Sequence, residues 1–190
     1  MVLKESQNKD LTRLLLAGSV LGGIALVAST LKSDKLLKTV EYVDMERYMG
    51  KWYEIASFPA RFQKNCTCTT AEYTLNDDGT VLVNNRCYNA KKDKWEGATA
   101  TAFVQNTDTN AQLAVQFFWP FKGDYYIIAL ADDYSYALVG EPSRKYLWIL
   151  SRTPQLSQAT YDRLTTIAAQ KGFDVRKLNM TKQKKCVRQD

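Results

Sequence analysis

The stretch "TTAEYTLNDDGTVLVNNRCYN" (Thr69–Asn89) decides the fold. Residues from Thr69 to Leu75 and from Val81 to Tyr88 follow a period of two, and the polar run Asn76-Asp77-Asp78-Gly79 lies between them. A period of two sends successive side chains to opposite faces of a sheet, and a turn tetrapeptide reverses the chain. The stretch therefore predicts a β-hairpin.

Working outward, "KWYEIASF" precedes the hairpin, and "KWEGATATAFVQ", "AQLAVQFF", "DYYIIALA", "SYALVGEP" and "KYLWILSR" follow it. Polar or glycine-containing loops separate these segments, which makes eight strands with almost no helix between them. An antiparallel meander of that size loses its exposed edges by closing into an up-and-down barrel, wide enough inside for one small ligand. A two-sheet sandwich with a filled interior is the alternative. After Pro154 the period changes. Ser157 is a suitable N-cap, Tyr161, Leu164, Ile167 and Ala168 form an apolar stripe, and Gly172 stops the run. The expected class is all-β, an eight-stranded antiparallel barrel over residues 39–190 with one C-terminal α-helix packed outside. "FDVRKLNM" reads as a short final strand or extended segment leading to Cys186.

Composition restricts the chemistry. The 190 residues carry a formal net charge of +6 and no histidine. That absence excludes Ser-His-Asp and Cys-His catalysis and every histidine-ligated metal or haem site. Four cysteines, Cys66, Cys68, Cys87 and Cys186, favour two disulfides in one of three connectivities. Cys66-x-Cys68 lacks the second close pair that a zinc site requires, so neither metal nor cofactor is expected. The basic tail, with Lys177, Lys182, Lys184, Lys185 and Arg188, has no nucleic-acid motif beside it and reads as a solvated face.

Residues 1–38 differ from the rest. Lys4, Lys9 and Arg13 precede an uncharged run from Leu14 to Leu31, and Lys32, Asp34 and Lys35 follow. The run sits at the lower limit of a bilayer span, with small residues in "LVAST" near its end. It is a cleaved export signal or a retained membrane anchor, and the domain is expected outside the cytoplasm: periplasmic, membrane-associated or secreted.

Three motifs then carry a resemblance: "GKWYEI" (Gly50–Ile55), "DDYSYALV" (Asp132–Val139) and "YLWILSRTP" (Tyr146–Pro154). In this order, with "FFWPFKGDYYIIAL" and a helix after the third, they resemble the lipocalins, within them the bacterial lipocalin and apolipoprotein D subfamily. The resemblance covers about Asp44 to Lys182. Asp132-Asp133 replaces the usual Thr-Asp before Tyr134, and no cysteine stands in or just after the apolar run to accept a lipid. The resemblance implies that Trp52 crosses the closed end of the barrel and packs against Arg152. It also pairs Cys68 with Cys186, which leaves Cys66 with Cys87. Gly50 is expected to turn the chain into the first strand at a place where a side chain would clash.

Period two and the resemblance together propose the cavity wall. Trp148 is a ligand-contacting position in similar proteins, and Tyr146 and Leu150 share its face. Leu113, Val115 and Phe117 form one face of their strand, and Tyr73 and Asn85 match cavity positions. Tyr125 and Ile127, or their neighbours Tyr126 and Ile128, complete the wall. With Glu54 as a further polar group, such a pocket suits a fatty acid or lysophospholipid that is bound and carried without catalysis. The competing function is a thiol-dependent lipocalin-type enzyme using Cys66 or Cys68. The loops "SFPARFQKN" and "FFWPFKGD" set aromatic residues beside cations, which fits a membrane surface contact or a barrel lid.

Overall fold

The computed structural model describes residues 36–183 and Cys186, so the apolar run of residues 14–31 lies outside the described residues. The elements are α1 (Met45–Tyr48), β1 (Gly50–Ser57), β2 (Cys66–Leu75), β3 (Val81–Asn89), β4 (Lys94–Val104), β5 (Gln112–Phe118), β6 (Phe121–Leu130), β7 (Tyr136–Gly140), β8 (Leu147–Ser151), α2 (Gln158–Gln170) and β9 (Asn179–Met180). Strands β1 to β8 pair antiparallel in sequence order, and β1 meets both β8 and β2. The eight strands thus form a closed barrel, with β9 added outside against β1.

The deciding hairpin is held at its turn by local bonds. The Thr80 and Asn76 backbones bond across it at 2.8 Å, and Asp78 Oδ1 accepts from the Thr80 amide at 2.9 Å. Beyond the turn, Tyr73 faces Val83 and Ala71 faces Asn85 in the β2–β3 register.

Two apolar clusters lie on opposite sides of the barrel wall. Inside, Val81, Val83, Ala100, Ala102, Leu113, Ile127 and Val139 pack with Tyr48 and Trp52. Outside, Ile55, Ile128, Leu138, Leu147 and Ile149 are covered by Leu164 and Ala168 of α2, with Leu37 and Phe173. Tyr125 and Ile127 therefore take the inner face, and Tyr126 and Ile128 the outer. Ser157 caps α2 by accepting from the Thr160 amide at 3.1 Å. Close packing behind the helix depends on Gly140, because a Cβ there would lie 2.5 Å from the ring of Phe173.

Gly50 corrects one expectation. A Cβ at this position would meet Arg152 Nη1 at 3.5 Å, an ordinary contact rather than a clash. What requires glycine is the backbone, since φ is +88°, a region that costs other residues about 1–2 kcal/mol.

The wall has one seam. Strands β1 and β2 pair only from Gly50 with Tyr73 to Tyr53 with Thr70, and above that point β1 turns to β9 instead. The C-terminal strap fills the gap. Cys68 N donates to Lys182 O at 2.8 Å, and Thr181 N donates to Ile55 O at 2.9 Å. The side-chain amide of Gln183 bridges the Glu54 and Thr69 carbonyls at 2.9 and 2.7 Å. A Cys68–Cys186 disulfide fastens the strap, and a second disulfide joins Cys66 to Cys87 between β2 and β3.

Candidate functional site

The barrel's lower end is sealed by charge and aromatic rings. The Arg152 guanidinium lies 3.8 Å from the centroid of the Trp52 ring and donates to the carbonyls of Arg47 at 2.7 Å and Lys51 at 3.0 Å. Trp52 is fully buried, and its indole N–H donates to Tyr48 O at 2.9 Å. Below, Asp44 N donates to the Tyr134 hydroxyl at 2.9 Å, and Arg47 stacks 4.0 Å over that ring. Tyr134 thus anchors the segment that runs under the barrel.

Three tyrosines stand on this floor. The Tyr125 hydroxyl lies 2.8 Å from that of Tyr48 and 3.0 Å from that of Tyr73. Burial is the main cause that pushes Tyr73 up to about 12 and both Tyr48 and Tyr125 well above the usual tyrosine value. All three stay neutral across the physiological range, where a neutral hydroxyl chain completes an apolar chamber without a charge.

Above the tyrosines opens a cavity of about 440 Å3. Tyr73, Asn85, Val115 and Tyr125 line it from the hairpin, β5 and β6, and Phe117 stands at its rim. Tyr146, Trp148 and Leu150 line the opposite side, with the Tyr146 and Trp148 rings stacked 5.8 Å apart. Glu54 of β1 is also in the lining and is buried.

Two proposed wall residues lie elsewhere. Leu113 pairs with Tyr125 and faces a narrow recess of about 10 Å3 under the tyrosines, too small for a ligand. Ile127 is fully buried in the inner core, one inward step below Tyr125, and its carbonyl accepts from Val40 N at 3.0 Å. Period two puts Leu113 on the apolar face of its strand and leaves Ile127 or Ile128 open, and face does not give height. The tyrosine layer separates them from the cavity.

All four cysteines are bridged, so no thiol is available to act as a nucleophile in this state. The thiol-enzyme alternative has no reactive group. Among the described residues no cluster of side chains could hold a metal ion.

Residues 43–183 match the lipocalin-like domain family. The chain belongs to the lipocalins. This lipocalin is 45% identical over 158 residues to temperature-induced lipocalin-1 of Arabidopsis thaliana, covering 78% of this chain and 84% of the relative. It is 41% identical over 160 residues to the outer membrane lipoprotein Blc of Citrobacter freundii, covering 84% and 90%. The crystal structure of the cockroach allergen Per a 4 superposes with a TM-score of 0.60 over 76% of this lipocalin and 92% of that chain. At 21% identity that match concerns the fold alone.

Several lining residues of this lipocalin escape sequence reasoning. Thr69 and Thr70 both reach the cavity because Cys68 has φ +54° and the β2–β3 register shifts between Thr67 and Thr70, which interrupts the alternation. Gln63 comes from a short 3-10 turn (Arg61–Gln63) and Glu141 from a loop, where no period of two applies. Tyr48 joins the floor from α1, and its spacing of four residues from Trp52 was the available signal.

Proposed function

We propose that this lipocalin binds and carries small hydrophobic molecules, fatty acids or lysophospholipids, in its barrel cavity. The observation that carries the reading is a cavity of about 440 Å3, sealed below by Trp52, Arg152 and the tyrosines and walled mainly by aromatic and aliphatic side chains. Its size falls within the roughly 300–1,000 Å3 of small-molecule sites. Each methylene buried there contributes about 0.8 kcal/mol, so a single acyl chain supplies the driving force without any polar contact.

The mouth supports exchange with a membrane surface. Phe118, Trp119 and Phe121 are 68%, 85% and 68% exposed on the β5–β6 hairpin, next to Lys122. Aromatic rings beside a cation on a protruding tip suit the interface of a bilayer. The leading apolar run and the two disulfides fit an exported compartment, and the relative named an outer membrane lipoprotein agrees with that. In this chain the first cysteine, Cys66, is held in a disulfide, so attachment through a lipidated cysteine is not part of the reading.

Native mass spectrometry with lipid extraction tests the proposal. Protein purified without detergent is expected to release single-chain lipids, and Trp148→Ala to retain less of them. Absence of bound or exchangeable lipid in both would refute the carrier reading. Trp119→Ser is expected to reduce sedimentation with phospholipid vesicles while leaving cavity binding unchanged.

A further inference from the structure

From the polar groups of the cavity we infer that the preferred ligand carries a primary ammonium on its head, not a carboxylate. The inference rests on the carrier reading and narrows it, from fatty acids and lysophospholipids together to single-chain lipids with an amine head. Glu54 is the anchor. It is 6% exposed, and it makes no ion pair among the described residues. Its Oε1 accepts from Ser57 Oγ at 3.1 Å and Thr181 Oγ1 at 2.5 Å, and its Oε2 accepts from Gln63 Nε2 at 2.7 Å. A carboxylate offers about four lone-pair sites, so Oε2 still has room for a donor.

Two neighbouring groups point to the same ligand chemistry. Gln63, with its amide N–H given to Glu54, has a buried Oε1 that no group satisfies, and buried Thr69 Oγ1 is likewise unpartnered. Both residues line the cavity with Glu54. Buried polar atoms are normally paired; a carboxylate oxygen and an amide carbonyl can only accept, and so seek N–H donors, while the Thr69 hydroxyl can accept a further one.

Charge agrees with hydrogen bonding. Among the described residues of the lining, Glu141 adds a second carboxylate, Lys122 is the one cation, and Asp124 takes the outer face because it alternates with the inward Tyr125. The Lys122 ammonium, however, lies 4.1 Å from the centroid of Phe103, whose neighbour Ala102 is the residue that packs inside the barrel. That lysine is turned along the outer wall. A chain of formal net charge +6 therefore presents a cavity of acidic character. A ligand carboxylate would face Glu54 at low dielectric, whereas an ammonium would pair with it and satisfy Gln63 and Thr69.

Isothermal titration calorimetry at neutral pH, below micellar concentrations, tests this with ligands of one tail and different heads: dodecylamine, dodecyltrimethylammonium, dodecanol and dodecanoate. Dodecylamine is expected to bind at least about tenfold tighter than dodecanoate, the factor a charge-assisted hydrogen bond supplies. The trimethylammonium ligand, which cannot donate, is expected between them. Glu54→Gln should bring the amine and the acid to within about twofold of each other, by the loss of that same bond. Because Glu54 also holds Thr181, Thr69→Val gives a second reading: weaker amine binding with unchanged dodecanoate binding. Dodecanoate binding as tightly as dodecylamine overturns the inference while leaving the carrier reading intact. Failure of all four ligands to bind overturns both.

Discussion

Replacing Arg152 with alanine removes the plate that closes the barrel floor, and the structure sets the size of the effect. The guanidinium lies 3.8 Å from the Trp52 centroid, a cation–π contact worth about 1 kcal/mol at a partly exposed site. Its bonds to the Arg47 and Lys51 carbonyls, at 2.7 and 3.0 Å, lie at the solvent side, where water replaces the lost donor. Each is therefore assigned about 1 kcal/mol, below the value for a buried charged bond. Tyr48 O, which Arg152 also reaches at 3.2 Å, keeps its bond from the Trp52 indole. The total is about 3 kcal/mol, which lowers the melting temperature of a domain this size by about 6–12 °C. Urea unfolding followed by tryptophan fluorescence, together with calorimetry, measures both quantities. Arg152→Lys keeps the charge without the planar fork and should recover only about a third of the loss. Ligand affinity should stay unchanged in both variants, because neither side chain lines the cavity. A loss below about 1 kcal/mol, full rescue by lysine, or a fall in affinity matching that of Trp148→Ala would refute the reasoning.

Alkaline titration reads the tyrosine floor. Tyr73 is raised to about 12, and Tyr48 and Tyr125 are raised well above the ordinary value of about 10, which they regain on unfolding. Their contribution is complete below about pH 10 and is lost as pH rises through the folded values, since the unfolded chain gives up its protons first. Tyrosinate absorbance should therefore rise late and together with loss of circular dichroism, whereas early titration of these groups in folded protein contradicts the assignment. Cys186→Ser opens a link between residues 118 positions apart, with an expected loss of roughly 2–4 kcal/mol and faster ligand release, checked by denaturation and by stopped-flow dissociation. Gly140→Ala is expected to cost about 1–3 kcal/mol, because its Cβ would meet the Phe173 ring; an unchanged urea midpoint would show that the helix side yields freely.

The eight strands and the outer helix were legible because burial on one face imprints a period on the sequence; Trp148 and Tyr73 came from the resemblance, and the period then added Tyr146 on the face of Trp148. The polar part of the wall was not. Thr69 stands where a left-handed Cys68 interrupts the period, and Gln63, in a 3-10 turn, and Glu141, in a loop, lie outside any period of two. Depth was hidden as well: Leu113 and Ile127 alternate like wall residues, yet only the tyrosine layer shows that they lie beneath the chamber. Gly50 was read for the right position and the wrong reason, since a φ of +88° leaves no trace in composition beyond the glycine itself.

The strap across the β1–β2 seam also orders events in time. The residues that fill the gap, Thr181 to Gln183, and the cysteine that fastens them, Cys186, are synthesised after all eight barrel strands. Until they dock, one flank of the chamber lacks its covering and Glu54 lacks its Thr181 partner. The wall is thus completed by an oxidation, the joining of Cys186 to Cys68, and not by strand pairing alone.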